Sequence, residues 1–265
     1  MQLSALLKEF DSIWPPATAE AWDRPGLMLG NPDKEIRKIL LTVDITAIVI
    51  EQAVEMNIDL IVAHHPMFLR GVFELNELGF RGANAATAIK SDIAIFSAHT
   101  NADFQLKGVT NSLARAVGIS NPQPFSANGS GAIGEIDQAM SLLDYSRLVA
   151  KVLPAVAAGV KVAGDPAKIV KKVAVLAGAG DSYLAEVLQS GADVYITSDL
   201  RHHSAQDFME QSNLVGGPAL IDISHWSAEW MWLETAASQL QTFAPECQIL
   251  VSDINTDPWN FAVMQ

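Results

Sequence analysis

The chain has 265 residues, a single cysteine and a formal net charge of −13. One cysteine excludes an internal disulfide and fits a reducing compartment. The acidic balance argues against nucleic-acid binding, which needs a basic face to neutralise phosphates.

Hydrophobic residues make up 49% of the chain, yet no uncharged apolar run approaches the roughly 20 residues that span a bilayer. The opening MQLSALLKEFDSIW carries acidic residues and helical periodicity, without the basic start and small-residue cleavage site of a signal peptide. A soluble, cytoplasmic, globular protein is expected.

Residues 1–20 read as one amphipathic helix ended by Pro15-Pro16, and Trp22-Asp23-Arg24-Pro25-Gly26 as a turn. Arg37 to Asp44 has the pattern of a strand and Thr46 to Met56 that of a helix. Leu60 to Ala63 follows as a short buried strand, completing a β-α-β unit, and runs directly into His64-His65-Pro66. Pro66 disfavours the helical region for His65, and the carboxyl ends of strands in open α/β sheets are where ligands bind. Ala83 to Lys90 reads as a helix, and Ile93 to Ala98 as a strand delivering His99-Thr100-Asn101-Ala102-Asp103. Residues 119–135, rich in Pro, Gly, Ser and Asn, mark the expected boundary between a first α/β lobe (1–125) and a second (126–265). Tyr145 to Lys161 is expected to be helical.

Past residue 170 the pattern recurs. A shift of 134 positions superposes Lys38 on Lys172, Asp59 on Asp193, Leu60-Ile61-Val62 on Val194-Tyr195-Ile196, and His64-His65 on Ser198-Asp199. The strand before His99 matches Ala219 to Ile223, which leads into His225-Trp226-Ser227-Ala228-Glu229. Both copies end a strand with a histidine followed, four positions on, by a carboxylate. The expected fold is therefore α/β: a duplicated unit forming two layered lobes, with the functional site in the cleft between them.

The six histidines are His64, His65, His99, His202, His203 and His225. All are expected at or just after strand ends and none inside a helix, with Asp103, Asp199 and Glu229 beside them. Imidazole and carboxylate together suit Zn, Mn, Fe, Co or Ni, and the absence of nearby cysteine argues against a closed structural zinc site. If Ser224 caps a helix, His225 and Glu229 at i and i+4 share one face. Three converging segments can hold two ions bridged by a carboxylate, a device for activating water in hydrolysis. A dinuclear site is favoured.

In combination, His64-His65-Pro66-Met67-Phe68-Leu69-Arg70-Gly71, His99 to Asp103, Thr197-Ser198-Asp199-Leu200-Arg201-His202-His203, and His225 with Glu229 resemble the NIF-three-like family, also called GTP cyclohydrolase 1 type 2 homologues. The resemblance extends to Asp253-Ile254-Asn255-Thr256-Asp257-Pro258. It implies two divalent metal ions held by His64, His65, Asp103, His225 and Glu229 between two α/β lobes, and a homohexameric ring. The chain departs from the family pattern at Arg24-Pro25 and Ala102, which bears on substrate preference rather than on the ligands. His99, Asp199 and His203 are then candidates for catalytic groups, and His202 is weighed with His203 for proton transfer or for orienting ligands.

Gly129-Ser130-Gly131-Ala132-Ile133-Gly134 has dinucleotide-loop spacing without strand-to-helix context and reads as a flexible loop. Gly178-Ala179-Gly180-Asp181-Ser182 reads as a tight βα turn, with phosphate at the following helix N-terminus as the alternative. Trp226, Trp230 and Trp232 read as core or subunit interface. No separate organic cofactor site is expected. The function expected is a metal-dependent hydrolase acting on a small nucleotide or phosphorylated substrate. The alternative is a non-catalytic metal-binding assembly protein acting through protein partners.

Overall fold

The computed structural model describes residues 1–263. Helix α1 (Leu3–Ile13) buries Leu3, Leu6 and Phe10 along one face and stops just before Pro15-Pro16, shorter than the expected span of 1–20. Strand β1 (Gly26–Leu29) follows the Trp22–Gly26 turn. Then come β2 (Lys38–Thr42), α2 (Ala47–Glu55), β3 (Leu60–Ala63), α3 (Phe80–Lys90), β4 (Ala94–Ser97) and the single-turn helix α4 (Thr100–Asp103).

The chain continues through α5 (Val109–Ala116), β5 (Ala132–Ser141), α6 (Leu142–Val152), β6 (Lys161–Ala163) and β7 (Ile169–Ala179). After a 3-10 turn come α7 (Leu184–Gln189), β8 (Val194–Ser198), α8 (His202–Val215), β9 (Ala219–Ile223) and α9 (His225–Trp230). Helix α10 (Leu233–Phe243) and β10 (Gln248–Val251) close the order.

These elements form two compact units. One comprises Met1–Gln105 and Leu233–Thr256; the other comprises Leu106–Trp232 and the residues from Asp257 onward. The Pro- and Gly-rich stretch 119–135, expected as the boundary, lies within the second unit. Isolated bridges Ile119↔Ile136 and Gln123↔Ile133 pair it there.

The first unit holds a five-stranded sheet in the order β1-β4-β3-β2-β10, all parallel except β1. Its central strands are buried on both faces, which is why β3 is apolar throughout rather than alternating. One face packs Leu40, Ile61 and Ile95 against Val49, Ile50 and Ala53 of α2 and Ala85 and Ala88 of α3. On α1, Phe10 meets Phe96 of β4 with ring centroids 4.6 Å apart and Phe243 of α10 at 6.1 Å.

The second unit repeats the plan, with strands β7, β8 and β9 parallel and flanked by antiparallel β5 and β6, in the order β5-β7-β8-β9-β6. The duplication extends to individual hydrogen bonds. Asp59 Oδ2 accepts from the backbone N–H groups of Arg37 and Lys38 at 2.8 and 2.9 Å. Asp193 Oδ2, 134 positions on, accepts from Lys171 and Lys172 at 2.8 and 2.7 Å.

Helix α6 is a correction. It begins at Leu142, capped by Ser141 Oγ accepting from Asp144 N, and ends at Val152 rather than Lys161. Pro154 lacks the N–H a further turn requires, and Lys161–Ala163 becomes the edge strand β6 instead.

Candidate metal centre

In the first unit the backbone N–H groups of His64 and His65 donate to Thr42 and Val43 carbonyls, so both residues extend the β2–β3 ladder past the end of β3. Their rings are held by neighbouring strand ends. His64 Nδ1 donates to the Ala98 carbonyl at 2.9 Å, and His65 Nδ1 to Asp44 Oδ1 at 2.7 Å. His99 is the N-cap residue of α4, and its Nδ1 faces Asp23 Oδ2 at 3.0 Å.

One ring nitrogen from each of His64, His65 and His99 lies within 4.8 Å of the other two. Asp103, at the end of α4, places Oδ1 3.5 Å from His64 Nε2. His64, His99 and Asp23 are buried, while His65 and Asp103 are partly accessible.

Asp23 is the least expected of these groups. Burial pushes its carboxyl up, but hydrogen-bonding contact with His99 and with the Thr100 hydroxyl at 2.6 Å outweighs this and holds it well below the usual carboxylate range. The Asp23 carboxyl group thus stands against the His99 ring.

In the second unit Ser224 caps α9 as expected, its Oγ accepting from Ser227 N at 3.2 Å. The first and fifth residues of that helix then meet, with His225 Nε2 2.9 Å from Glu229 Oε1. His225 Nδ1 contacts Asp199 Oδ2 at 2.6 Å. Asp199 adopts a left-handed backbone, φ 56°, at the turn after β8. Asp tolerates that conformation better than most residues, and here it turns the carboxylate onto His225. Burial opposes charge on His225, but Glu229 and Asp199 push its pKa up to about 11. Contact with His225 in turn lowers Asp199.

Gly178 explains half of the second glycine stretch. Its φ is +81°, and a Cβ there would lie 3.0 Å from Glu229 Oε1 and 3.5 Å from His225 Nε2. The backbone of the β7 end thus presses against the His225–Glu229 pair. At Gly180 a Cβ would collide with Thr197 Oγ1 and the Tyr195 hydroxyl. Close packing accounts for both glycines, and the helix beyond them, α7, has only six residues.

The donor chemistry fits a divalent transition metal. His64, His65, His99 and His225 each turn Nδ1 toward an oxygen, while the Nε2 atoms of His64 and His225 face the carboxylates of Asp103 and Glu229. Such outer partners fix ring orientation and tautomer in metal sites. His202 and His203 differ from expectation: they form the first turn of α8, exposed to solvent, because the helix starts only four residues after β8 ends. Their rings contact each other, with centroids 5.1 Å apart. Trp226 and Trp232 are buried core residues.

Asp23 and Asp44 were not singled out from sequence. Asp44 lies two residues beyond the end of β2, a position that marks it as a strand-end carboxylate, but Asp23 sits in a turn with no such mark.

These observations define a class: a duplicated α/β protein whose parallel strands end in imidazole and carboxylate groups able to hold a metal ion. The chain belongs to the Duf34/NIF3 (NGG1p interacting factor 3) family, whose model matches residues 1–258. It is 36% identical to the GTP cyclohydrolase 1 type 2 homolog of Streptomyces coelicolor, over 97% of this chain and 93% of that protein. It is 31% identical to the protein of the same name from Clostridium perfringens, over 98% and 100% of the two chains. Among solved structures, a Bacillus cereus protein related to NIF3 superposes with a TM-score of 0.91 at 23% identity, covering 99% of each chain, and so shares the fold.

Proposed function

We propose that His64, His65 and Asp103 of the first unit and His225 and Glu229 of the second together hold two divalent ions. On this reading the protein is a cytoplasmic metal-dependent hydrolase of a small nucleotide or phosphorylated substrate. The observation that supports it most is the shared Nδ1 arrangement of four imidazoles from two separate units. Oxygen partners of this kind fix the orientation and tautomer of ligating imidazoles. The name carried by both relatives points to a nucleotide.

When bound, two divalent ions would supply Lewis acidity and charge for attack by water on a carbon or phosphorus centre. The chain's own residues divide the remaining work. His99, backed by the Asp23 carboxylate, is the group for proton transfer beside the His64–His65 pair. Asp199 orients His225 and so acts through it. His203 faces solvent and has no part in this arrangement.

A second reading has its own observation. Leu69, Val72, Phe73, Leu75, Leu78 and Phe80 are all exposed on one segment of the first unit, and clustered exposed apolar side chains are a feature of association surfaces. That supports self-association, the hexamer included, and a partner-binding role without turnover.

Variants at two equivalent repeat positions separate the readings, with metal content and hydrolysis measured over a panel of nucleotides and phosphoesters. His225→Ala should lose metal, whereas His99→Ala should keep most of it and lose hydrolysis. Equal metal loss in both would make His99 a ligand. A metal-loaded wild type without turnover on the panel would favour the assembly protein.

A further inference from the structure

Asp253-Ile254-Asn255-Thr256-Asp257-Pro258, near the end of the chain, contributes none of the five ligands proposed above. Two successive residues of this segment nevertheless reach the supports of both ligand sets. Thr256 Oγ1 donates to Asp44 Oδ2 at 2.5 Å, while the other oxygen of the same carboxylate accepts from His65 Nδ1 at 2.7 Å. The next residue, Asp257, accepts at Oδ2 from Ser224 Oγ at 2.5 Å. Ser224 is the cap of the six-residue helix that begins with His225 and carries Glu229. The division between the two units falls on the peptide bond joining these residues.

The hydrogen-bond directions make each arm specific. With Thr256 on one oxygen and His65 on the other, the Asp44 carboxylate cannot rotate without losing a partner, so the His65 ring keeps one orientation. Asp257 accepts the only proton of the Ser224 hydroxyl, which turns a lone pair of that oxygen toward Ser227 N for the cap. Asp257 is itself fixed, its Oδ1 accepting from Trp259 N at 3.0 Å, and Pro258 restricts its backbone to extended conformations.

We propose that Thr256-Asp257 is a two-armed positioning element. One residue fixes His65 through Asp44 and the next fixes the His225–Glu229 helix through Ser224, so a single stretch of chain sets both ligand groups. The inference rests on the metal-binding reading. Hydroxyl chemistry at residue 256 and an acceptor at residue 257 are what the element requires.

The test is the affinity of the full-length protein for Zn²⁺ or Mn²⁺ alone, by competition with a chromophoric chelator, with metal-free melting temperature as the control for folding. Thr256→Val and Asp257→Ala should each weaken binding by about 10–100-fold, the range for loss of such outer supports. Thr256→Ser, which keeps the hydroxyl, should bind within about twofold of wild type. Should Thr256→Val fold poorly, Thr256→Ala against Thr256→Ser gives the same comparison without the β-branch. Wild-type affinity in both Thr256→Val and Asp257→Ala would overturn the proposal, as would equal loss in Thr256→Ser and Thr256→Val. A wild type that takes up no metal would instead overturn the reading beneath it.

Discussion

His64 and His225 show how a neighbouring oxygen fixes the orientation of an imidazole ring. In each, one ring nitrogen is committed to an oxygen, the Ala98 carbonyl for His64 and the Asp199 carboxylate for His225. A sequence displays the histidines but not these partners. His64, His65, His99, His225 and Glu229 could be found because they follow apolar strands at recognisable spacings. Asp44 lies 21 residues from the histidine it orients, and Thr256 lies 212 residues from Asp44. No local pattern carries pairings of that length.

Gly178 offers a test at the same scale. Adding one methyl group strains a left-handed backbone and pushes on Glu229 Oε1 and His225 Nε2. Gly178→Ala should lower metal uptake measurably by titration while the circular dichroism spectrum stays that of an α/β protein. Unchanged uptake would mean that the close approach has no bearing on the pair.

Among elements, the buried parallel strands were readable and the edges were not. Strands β2, β3, β4, β7, β8 and β9 declare themselves by β-branched and apolar runs closed by a polar residue. Strands β1, β6 and β10 contain no fully buried residue, and apolar runs as short as Leu27-Met28-Leu29 and Ile249-Leu250-Val251 do not tell strand from helix. Pairing with a buried neighbour defines them instead. Helix α6 fails differently, since helical periodicity continues past the point where Pro154 ends the hydrogen-bond ladder.

The Asp59 and Asp193 contacts explain why the repeat keeps an aspartate before β3 and β8. Each carboxylate takes two successive backbone N–H groups from the adjacent chain segment, at the entry to β2 and within β7, and so fixes the register there. Asp193→Ala should cost about 1.5–3 kcal/mol, the range for hydrogen bonds to a charged group. Urea unfolding measures this directly. A loss below about 0.5 kcal/mol would show that the sheet holds its register without the carboxylate.

For the molecule as a whole, duplication explains why neither copy carries a full complement of the same ligands. The first copy ends β3 in two imidazoles, whereas the second ends β8 in Ser198 and Asp199 and supplies its imidazole after β9. No helix among the described residues is long and apolar enough to cross a membrane. Leu69, Val72, Phe73, Leu75, Leu78 and Phe80 are exposed in the first unit. On the self-association reading, wild-type protein should sediment as an assembly several times the 28.5 kDa chain mass. Phe73→Ser with Leu78→Ser should sediment as a smaller species. A wild type that sediments as a monomer would contradict that reading.

Metal binding is tested most simply by elemental analysis, on protein purified without chelator and then equilibrated with Zn²⁺ or Mn²⁺. Two units that each present imidazole and carboxylate groups predict about two ions per chain. Glu229→Gln, which keeps the shape of the side chain and removes its charge, should bind far less while remaining folded. Wild-type protein without bound metal, or Glu229→Gln with the wild-type complement, would contradict a metal site built on Glu229.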